Sequence, residues 1–234
     1  MINILNYIFG LSLLIVSSYS LNSDGLPTSI RSNSGCVVPT TIASSKGFNV
    51  KYYSKYNLLP RWSAVFSSTY IYKDYTTLTP VSSAHAVQGD IDLEYAWYPR
   101  NPGILTTWGM VFDGSSFLAE FTTYFKPTET GFYQFFWEDV DNAIMLFIGE
   151  DAFSCCDGTA DPSNTNFDYL MWITNQMQNQ NVGSDYFYFE ADILYPVRII
   201  YINEEYGAKF ILKVVHSSTE IEVADHLYLL PETA

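Results

Sequence analysis

The chain has few basic residues. It contains 11 lysines and arginines against 25 aspartates and glutamates, which gives a formal net charge of −14. Nucleic acids and anionic membranes are bound through basic patches, so this balance argues against both as partners. An acidic surface either serves solubility alone or suits cations and neutral ligands such as glycans. The three histidines, His85, His216 and His226, show no ligand spacing with cysteine or carboxylate, which argues against zinc.

Long hydrophobic runs are also absent. The most apolar stretch, Ile8 to Val16, is followed by the small residues Ser17, Ser18 and Ser20. It is too short to span a bilayer, which takes about 20 residues, and it is typical of a secretory signal peptide. We therefore predict that residues 1–20 are a signal peptide and that residues 21–234 form one extracellular domain, with no membrane insertion and no lipid-anchor signal.

Cysteine is scarce, with three in the chain. In the oxidising compartment that a signal peptide implies, one disulfide is expected and one thiol is left over. Cys155 and Cys156 are neighbours, and neighbouring cysteines seldom pair with each other. The sequence therefore predicts that Cys36 pairs with one of these two, and it leaves the choice open.

No long window sustains a helical period with caps. The 19 tyrosines and 16 phenylalanines favour strands. Short alternating or apolar segments, separated by Gly, Pro and Asn turns, predict an all-β sandwich. The strand candidates are residues 48–53, 64–75, 92–98, 117–125, 132–137, 143–148, 169–173, 186–190, 197–202, 208–215 and 221–230.

An acidic turn between two apolar segments, Glu138 to Asn142, stands out. Asp139, Asp141 and Asn142 offer side-chain oxygens at short spacing, and calcium takes 6–8 such ligands. One turn does not fill that shell, so a second loop is required. Residues 202–207, with an amide, two carboxylates and a glycine, are the best partner. The alternative is a solvated turn without a ligand, because turns select Asp and Asn for backbone reasons.

Several motifs in a shared order resemble the PA14/GLEYA family of fungal cell-wall adhesins, which includes flocculins and epithelial adhesins. The pentapeptide that names the GLEYA group is matched at four positions, with Asp92 where the family has glycine. The resemblance extends from about Gly35 to Leu230. It rests on Ser34-Gly35-Cys36, Leu93-Glu94-Tyr95-Ala96, Gly131-Phe-Tyr-Gln-Phe, Asp141-Asn142, Gly149, Phe153-Ser154-Cys155-Cys156 and Tyr195 to Asn203.

The resemblance implies a PA14-like antiparallel β-sandwich with long ligand-binding loops and a calcium ion. In the family, two adjacent acidic residues joined by a cis peptide bind calcium; here that pair becomes Asp141-Asn142. Asn142 supplies a neutral oxygen where the family usually has a carboxylate, so weaker calcium affinity is expected. From the second loop, Asn203 is predicted to bind through its side chain, and backbone carbonyls near Glu205 and Gly207 are further candidates.

The same resemblance implies sugar contacts beside the ion. Trp172 and Tyr206 are the candidate stacking platforms, and Gln178 in an amide-rich loop and Glu204 are candidate hydrogen-bonding residues. A buried core tryptophan and a polar loop without a task are the alternatives. The expected ligands are glycans that end in a hexose or N-acetylhexosamine, namely mannose, galactose or N-acetylglucosamine, including chitin.

Two other functional classes are weighed against a calcium-dependent adhesin. A structural or homotypic cell-wall protein would make contact through surface aromatics rather than glycans. A secreted glycosidase would need paired carboxylates, and Glu150 and Asp151 are adjacent, so on a strand they would face opposite sides. We therefore expect no enzyme activity. The predicted location is secreted, at the fungal cell-wall surface, with host or neighbouring cells as partners.

Overall fold

In the computed structural model, the described residues are 30–32, 35–36, 44–54, 77–95, 103–140, 143–149, 152–153, 171–174, 182–183, 186–203 and 207–230. Within them almost all of the regular structure is strand, and a 3-10 helix covers Val223–His226. None of the helices in this part of the chain has the length and hydropathy needed to cross a membrane.

The first of the two large sheets has seven described strands. Its main path runs β1-β13-β9-β15-β16, with β12 paired to β9 and β5 paired to β15. Pairing is antiparallel except between β1 and β13. The strands are β1 (Ile30–Ser32), β5 (Asp92–Tyr95), β9 (Gly131–Glu138), β12 (Val182–Gly183), β13 (Tyr186–Phe189), β15 (Ala208–His216) and β16 (Thr219–Ile221).

The second sheet has eight described strands, all antiparallel. Its main path runs β11-β10-β14-β8-β17-β2, with β3 paired to β8 and β4 paired to β3. The strands are β2 (Ser45–Lys46), β3 (Phe48–Ser54), β4 (Ser82–Val87), β8 (Phe117–Phe125), β10 (Ala143–Ile148), β11 (Met171–Thr174), β14 (Tyr195–Asn203) and β17 (Leu227–Leu229). A separate hairpin joins β6 (Ile104–Thr107) to β7 (Met110–Asp113).

The core lies between the two large sheets and is largely aromatic. Phe125 of the eight-stranded sheet packs edge-on against Phe135 of the seven-stranded sheet, with ring centroids 5.4 Å apart. Phe121 and Phe210 make a second contact of this kind at 5.9 Å. Such edge-to-face pairs are favourable beyond their area burial. The two sheets therefore face each other as a sandwich, as the sequence predicts.

A second apolar cluster covers the outer face of the eight-stranded sheet. It includes Cys36, Tyr53, Tyr124, Phe153 and Ile200. Phe153 packs edge-on against Tyr124 at 5.2 Å. Because this sheet is covered on both faces, every residue of β10 and of β14 is buried. This burial explains why β10 reads as a continuous apolar run rather than an alternating one.

Most strand predictions are confirmed, and one is wrong. Strand β8 and strand β10 have the predicted bounds, and the predicted strand at 64–75 lies outside the described residues. The single strand predicted for 221–230 is replaced by β16, the 3-10 helix and β17. The helix is fixed from a distance, because Asp90 Oδ1 accepts a hydrogen bond from the Ala224 amide at 3.1 Å. No local pattern reveals that contact.

Candidate functional site

Two short connections carry the chain from one large sheet to the other at the same end of the sandwich. The first corner, residues 139–142, leads from β9 to β10, and the second, residues 204–207, leads from β14 to β15. In the seven-stranded sheet Glu138 lies opposite Ile211. In the eight-stranded sheet Ala143 lies opposite Ile202. Since β9 pairs with β15 and β10 with β14, both connections start and end on neighbouring strands.

The first corner begins with a sharp change of backbone direction. Asp139 has a φ of 53°, in the left-handed region that few residues with a Cβ adopt and that aspartate tolerates better than most. The next residue, Val140, is buried in the core cluster, and so is the side chain of Trp137 just before the turn. Two buried apolar side chains therefore hold the entry to this corner. Trp137 is therefore a core residue.

Asn203 closes β14 at the start of the second corner and is 0% exposed. Its Nδ2 donates a hydrogen bond to the backbone carbonyl of Gly114 at 2.9 Å. That bond fixes the orientation of the carboxamide, so Oδ1 lies on the side away from Gly114. A buried amide oxygen held in one orientation is suited to act as a hard-cation ligand.

The turn that receives Asn203 is itself rigid. It joins β7 to β8, and Asp113 Oδ1 accepts hydrogen bonds there from the Ser115 amide at 2.9 Å and the Ser115 hydroxyl at 2.6 Å. Gly114 has no room for a side chain, because a Cβ would lie 2.6 Å from carbon atoms of Leu105. The Gly114 carbonyl therefore has a fixed position from which to hold Asn203.

A lysine joins the two corners on the outer side of the seven-stranded sheet. Lys209 lies two residues after Gly207, and its Nζ is 2.9 Å from Asp139 Oδ2 and 3.3 Å from Glu94 Oε1. The hydrogen bond with Asp139 raises the pKa of Lys209, and burial opposes that shift. The Asp139 carboxylate, one of the oxygen sources predicted for the acidic turn, therefore pairs with an ammonium group.

Only part of the predicted site falls within the described residues. Asn203 is placed as above, Gly207 is buried at the end of the second corner, and the backbone of Trp172 lies in β11 opposite Met145. Among the described residues, no three His, Cys, Asp or Glu side chains gather as a metal group. The candidates outside the described residues are Asp141, Asn142, Gln178, Glu204, Glu205, Tyr206, Cys155 and Cys156.

The predicted disulfide of Cys36 lies on the outer face of the eight-stranded sheet. Cys36 is disulfide-bonded and buried, and its amide donates to the Leu194 carbonyl at 2.6 Å. It shares the outer apolar cluster with Phe153, which stands two residues before Cys155. The choice between Cys155 and Cys156 as its partner stays a prediction.

Sequence reasoning missed two contributors to this end of the sandwich. Neither the Gly114 carbonyl nor Lys209 is singled out by a motif. A signal for Lys209 exists: Lys209 and Lys213 stand four apart in β15, where alternate residues are buried, so both lie on the outer face beside the acidic strand ends. Glu94 belongs to the Leu93-Glu94-Tyr95-Ala96 motif, yet its partner Lys209 is 115 residues further along the chain.

Comparison with known proteins agrees with this architecture. Residues 117–216 match the model of the GLEYA domain family. Flocculation protein FLO10 of Saccharomyces cerevisiae is 32% identical over 110 residues, which is 44% of this chain and 9% of the relative. The chain thus spans a small part of that protein's length. The match to the family model starts at residue 117. The Leu93-Glu94-Tyr95-Ala96 motif lies before it and is therefore a separate point of resemblance.

Solved structures share the fold over most of this chain. The A domain of Epithelial Adhesin 9 from Candida glabrata, solved in complex with Galβ1-4GlcNAc, gives a TM-score of 0.71 at 25% identity and covers 86% of this chain and 96% of that one. The PA14 domain of the antifreeze protein MpAFP gives 0.53 at 12% identity, covers 82% and 94%, and shows the fold alone. The predicted resemblance and the PA14-like all-β fold are confirmed.

Proposed function

We propose that this chain, which matches the GLEYA domain family model at residues 117–216, is a carbohydrate-binding adhesin domain rather than an enzyme. The observation that carries the proposal is the buried, oriented Asn203 at the end of β14, on a strand that pairs with β10 just after the acidic turn. The comparisons support it, since the same fold is seen in an epithelial adhesin in complex with a galactose-containing disaccharide and a relative is named a flocculation protein.

The two corners would hold a calcium ion. The proposed ligands are the Asp141 carboxylate, the Asn142 amide oxygen and the Asn203 Oδ1, with backbone carbonyls near Glu205 and Gly207. This set fits calcium, because all of its members are oxygens and Asn203 is already oriented through Gly114. When bound, calcium supplies a positive centre to which two neighbouring sugar hydroxyls can bind.

The sugar is proposed to be a terminal hexose or N-acetylhexosamine. Trp172 and Tyr206 would offer aromatic faces to the apolar side of the ring, and Gln178 and Glu204 would bind its hydroxyl or acetamido groups. Galactose is the first sugar to test, because two of the solved adhesin complexes hold Galβ1-4GlcNAc and Galβ1-3GlcNAc. Mannose and N-acetylglucosamine ends, including chitin, follow.

We place the domain outside the cell, at the cell-wall surface, where host or neighbouring cells carry such glycans. The predicted signal peptide at residues 1–20 and the disulfide of Cys36 suit an oxidising extracellular compartment. Adhesion through the domain would join one cell to another or to a host surface.

A glycan array with and without chelator tests the proposal. The mature domain is expected to bind terminal-sugar probes in millimolar calcium and to lose that binding in EGTA. Asp141→Ala should abolish binding while circular dichroism stays unchanged. Asp192→Ala is the matched control, because Asp192 is an exposed carboxylate that pairs with Lys126 at 3.1 Å away from the corners. Binding that survives EGTA would contradict the calcium mechanism, and self-association indifferent to EGTA and sugar would favour a homotypic cell-wall protein.

A further inference from the structure

We propose that Lys209 is a positioning residue for the calcium ligands, acting by tying the first corner to the strand that follows the second. The inference rests on the proposed function, because Lys209 can position calcium ligands only if the corners bind calcium. It also assigns a role to Glu94 of the Leu93-Glu94-Tyr95-Ala96 motif, because the Glu94 carboxylate forms an ion pair with the same ammonium group.

The geometry makes Lys209 a link between the corners. Asp139 is the first residue of one corner, and Lys209 follows the last residue of the other by two positions. Their contact at 2.9 Å joins segments that are far apart in sequence. Glu94 of β5, opposite Lys209 in the ladder, holds the ammonium from the other side at 3.3 Å. Three elements thus meet at one nitrogen.

The contact restrains a residue that needs restraint. The left-handed φ of Asp139 is disfavoured for a side-chain-bearing residue, so the corner keeps this conformation only if the surroundings hold it. Val140 anchors the inner side of the corner in the core, and Lys209 anchors the outer side through the carboxylate of Asp139. Asp141 follows Asp139 by two residues, so the direction in which the corner leaves Asp139 sets where the proposed ligands Asp141 and Asn142 arrive.

The direction in which calcium affinity changes when Lys209 is replaced separates a positioning role from simple electrostatics. Lys209 is a cation near the proposed calcium site, so Coulomb repulsion alone would make calcium binding tighter when the charge is removed. Loss of the restraint has the opposite effect, because calcium ligands must meet the ion at about 2.3–2.6 Å and a freely moving corner meets that distance less often. The direction of the change in affinity therefore decides between the two.

The chain offers a matched control on the same strand. Lys213 lies on the same face of β15, is paired with Glu138 at 3.4 Å and Glu220 at 3.3 Å, and is 31% exposed against 34% for Lys209. Its partners are a residue of β9 and a residue of β16, so it does not join the two corners. Lys213→Met removes the same kind of charge and ion pair without touching the proposed restraint.

Calorimetric titration of the mature domain with calcium chloride tests the inference. Lys209→Met is expected to weaken calcium binding about tenfold, the scale seen when outer residues that orient metal ligands are lost. Lys213→Met should stay within about twofold, and Lys209→Arg should restore the wild-type affinity. Hydrogen exchange of the Val140 and Ala143 amides in calcium-free protein should speed up in Lys209→Met alone.

Each outcome has one meaning. Equal or tighter calcium binding by Lys209→Met, with the wild type binding calcium normally, would overturn the positioning role and leave the proposed function intact. Equal weakening by both lysine variants would show that the effect is not specific to the contact between Lys209 and Asp139, and it would overturn the positioning role as well. A wild-type domain that takes up no calcium would instead remove the proposed function and this inference together.

Discussion

Replacing Asn203 with leucine should reveal whether this residue has the two roles that its position implies. The side chain is 0% exposed, and its Nδ2 donates to the Gly114 carbonyl at 2.9 Å. Leucine has a similar size, so Asn203→Leu leaves little cavity. It removes the hydrogen bond inside the protein and the oxygen offered to calcium in a single change.

The loss of stability in calcium-free protein can be worked out from that bond. Removing the donor leaves the Gly114 carbonyl buried without this partner, which costs about 1–3 kcal/mol. Taking the middle of that range, the melting temperature should fall by about 4–8 °C for a chain of this size. The expected direction is firm because leucine offers no donor to the carbonyl.

Calcium adds a second, independent readout. A ligand at 100 times its Kd stabilises the protein that binds it by about 2.7 kcal/mol. The wild type should therefore melt several degrees higher in saturating calcium, and Asn203→Leu should lose most of that increase. Differential scanning calorimetry of both proteins, in EGTA and in calcium, measures the two effects separately.

Asn49→Leu is the control. Asn49 lies in β3 and is half-buried, and its Oδ1 accepts from the Ala86 amide at 3.2 Å in an exposed hydrogen bond. It should lower the melting temperature less than Asn203→Leu does and leave the calcium response intact. If Asn203→Leu melts like the wild type in EGTA, the hydrogen-bond reasoning is wrong. If it keeps the full calcium response, Asn203 is not a ligand.

Two further predictions concern the polar group buried on the outer face of the eight-stranded sheet. Arg198→Met should lower the free energy of unfolding in guanidinium by about 1–3 kcal/mol, because it removes a buried cation 4.0 Å from the buried Glu120 carboxylate, while Lys51 at 3.7 Å and the Tyr53 hydroxyl at 3.2 Å still contact that carboxylate. The double variant with Glu120→Leu should recover most of the loss, and no recovery would refute the pairing argument. Burial raises the pKa of Tyr53 above its ordinary 10.0, and the charge of Glu120 adds to the shift. The neutral Tyr53 hydroxyl therefore contributes fully to the stability of the folded protein below about pH 10, and this contribution is lost as the pH rises further. Tyr53→Phe should therefore flatten the decline of the unfolding midpoint above about pH 10, and an unchanged slope there would contradict the burial argument.

The strands that build the site could be predicted because they are buried in a simple way. Strand β10 is apolar throughout, and β15 alternates over its whole length, so each leaves a clear signature. Strand β4 has mostly exposed or half-buried residues and a Ser- and Ala-rich sequence, which gives no apolar pattern to find. The hairpin of β6 and β7 was not predicted for a related reason: Ile104 and Val111 are apolar yet exposed, so burial does not follow the apolar pattern there.

The candidate site was predictable as two loops but not as a geometry. Polar residues at the ends of apolar strands mark both corners, and the family resemblance suggested that they act together. Their adjacency depends on β9 pairing with β15 while β10 pairs with β14. That pairing is settled by the packing of whole sheets. The contacts of Asn203 with Gly114 and of Lys209 with Asp139 depend on this pairing of strands. No local sequence pattern therefore predicts them.

Crossing from one sheet to the other explains why a ligand site belongs at these corners. Along a ladder, backbone polar groups are bonded to the neighbouring strand, whereas a crossing residue leaves the ladder and can turn its oxygens outward. The flanking strands β10 and β14 are buried on both faces, so the points where the corners begin and end are held firmly. An oxygen donor that stands at such a fixed strand end, as Asn203 does at the end of β14, has less freedom to lose, and this reduces the ordering cost of binding. The contact of Lys209 with Asp139 adds a restraint at the residue where the first corner begins.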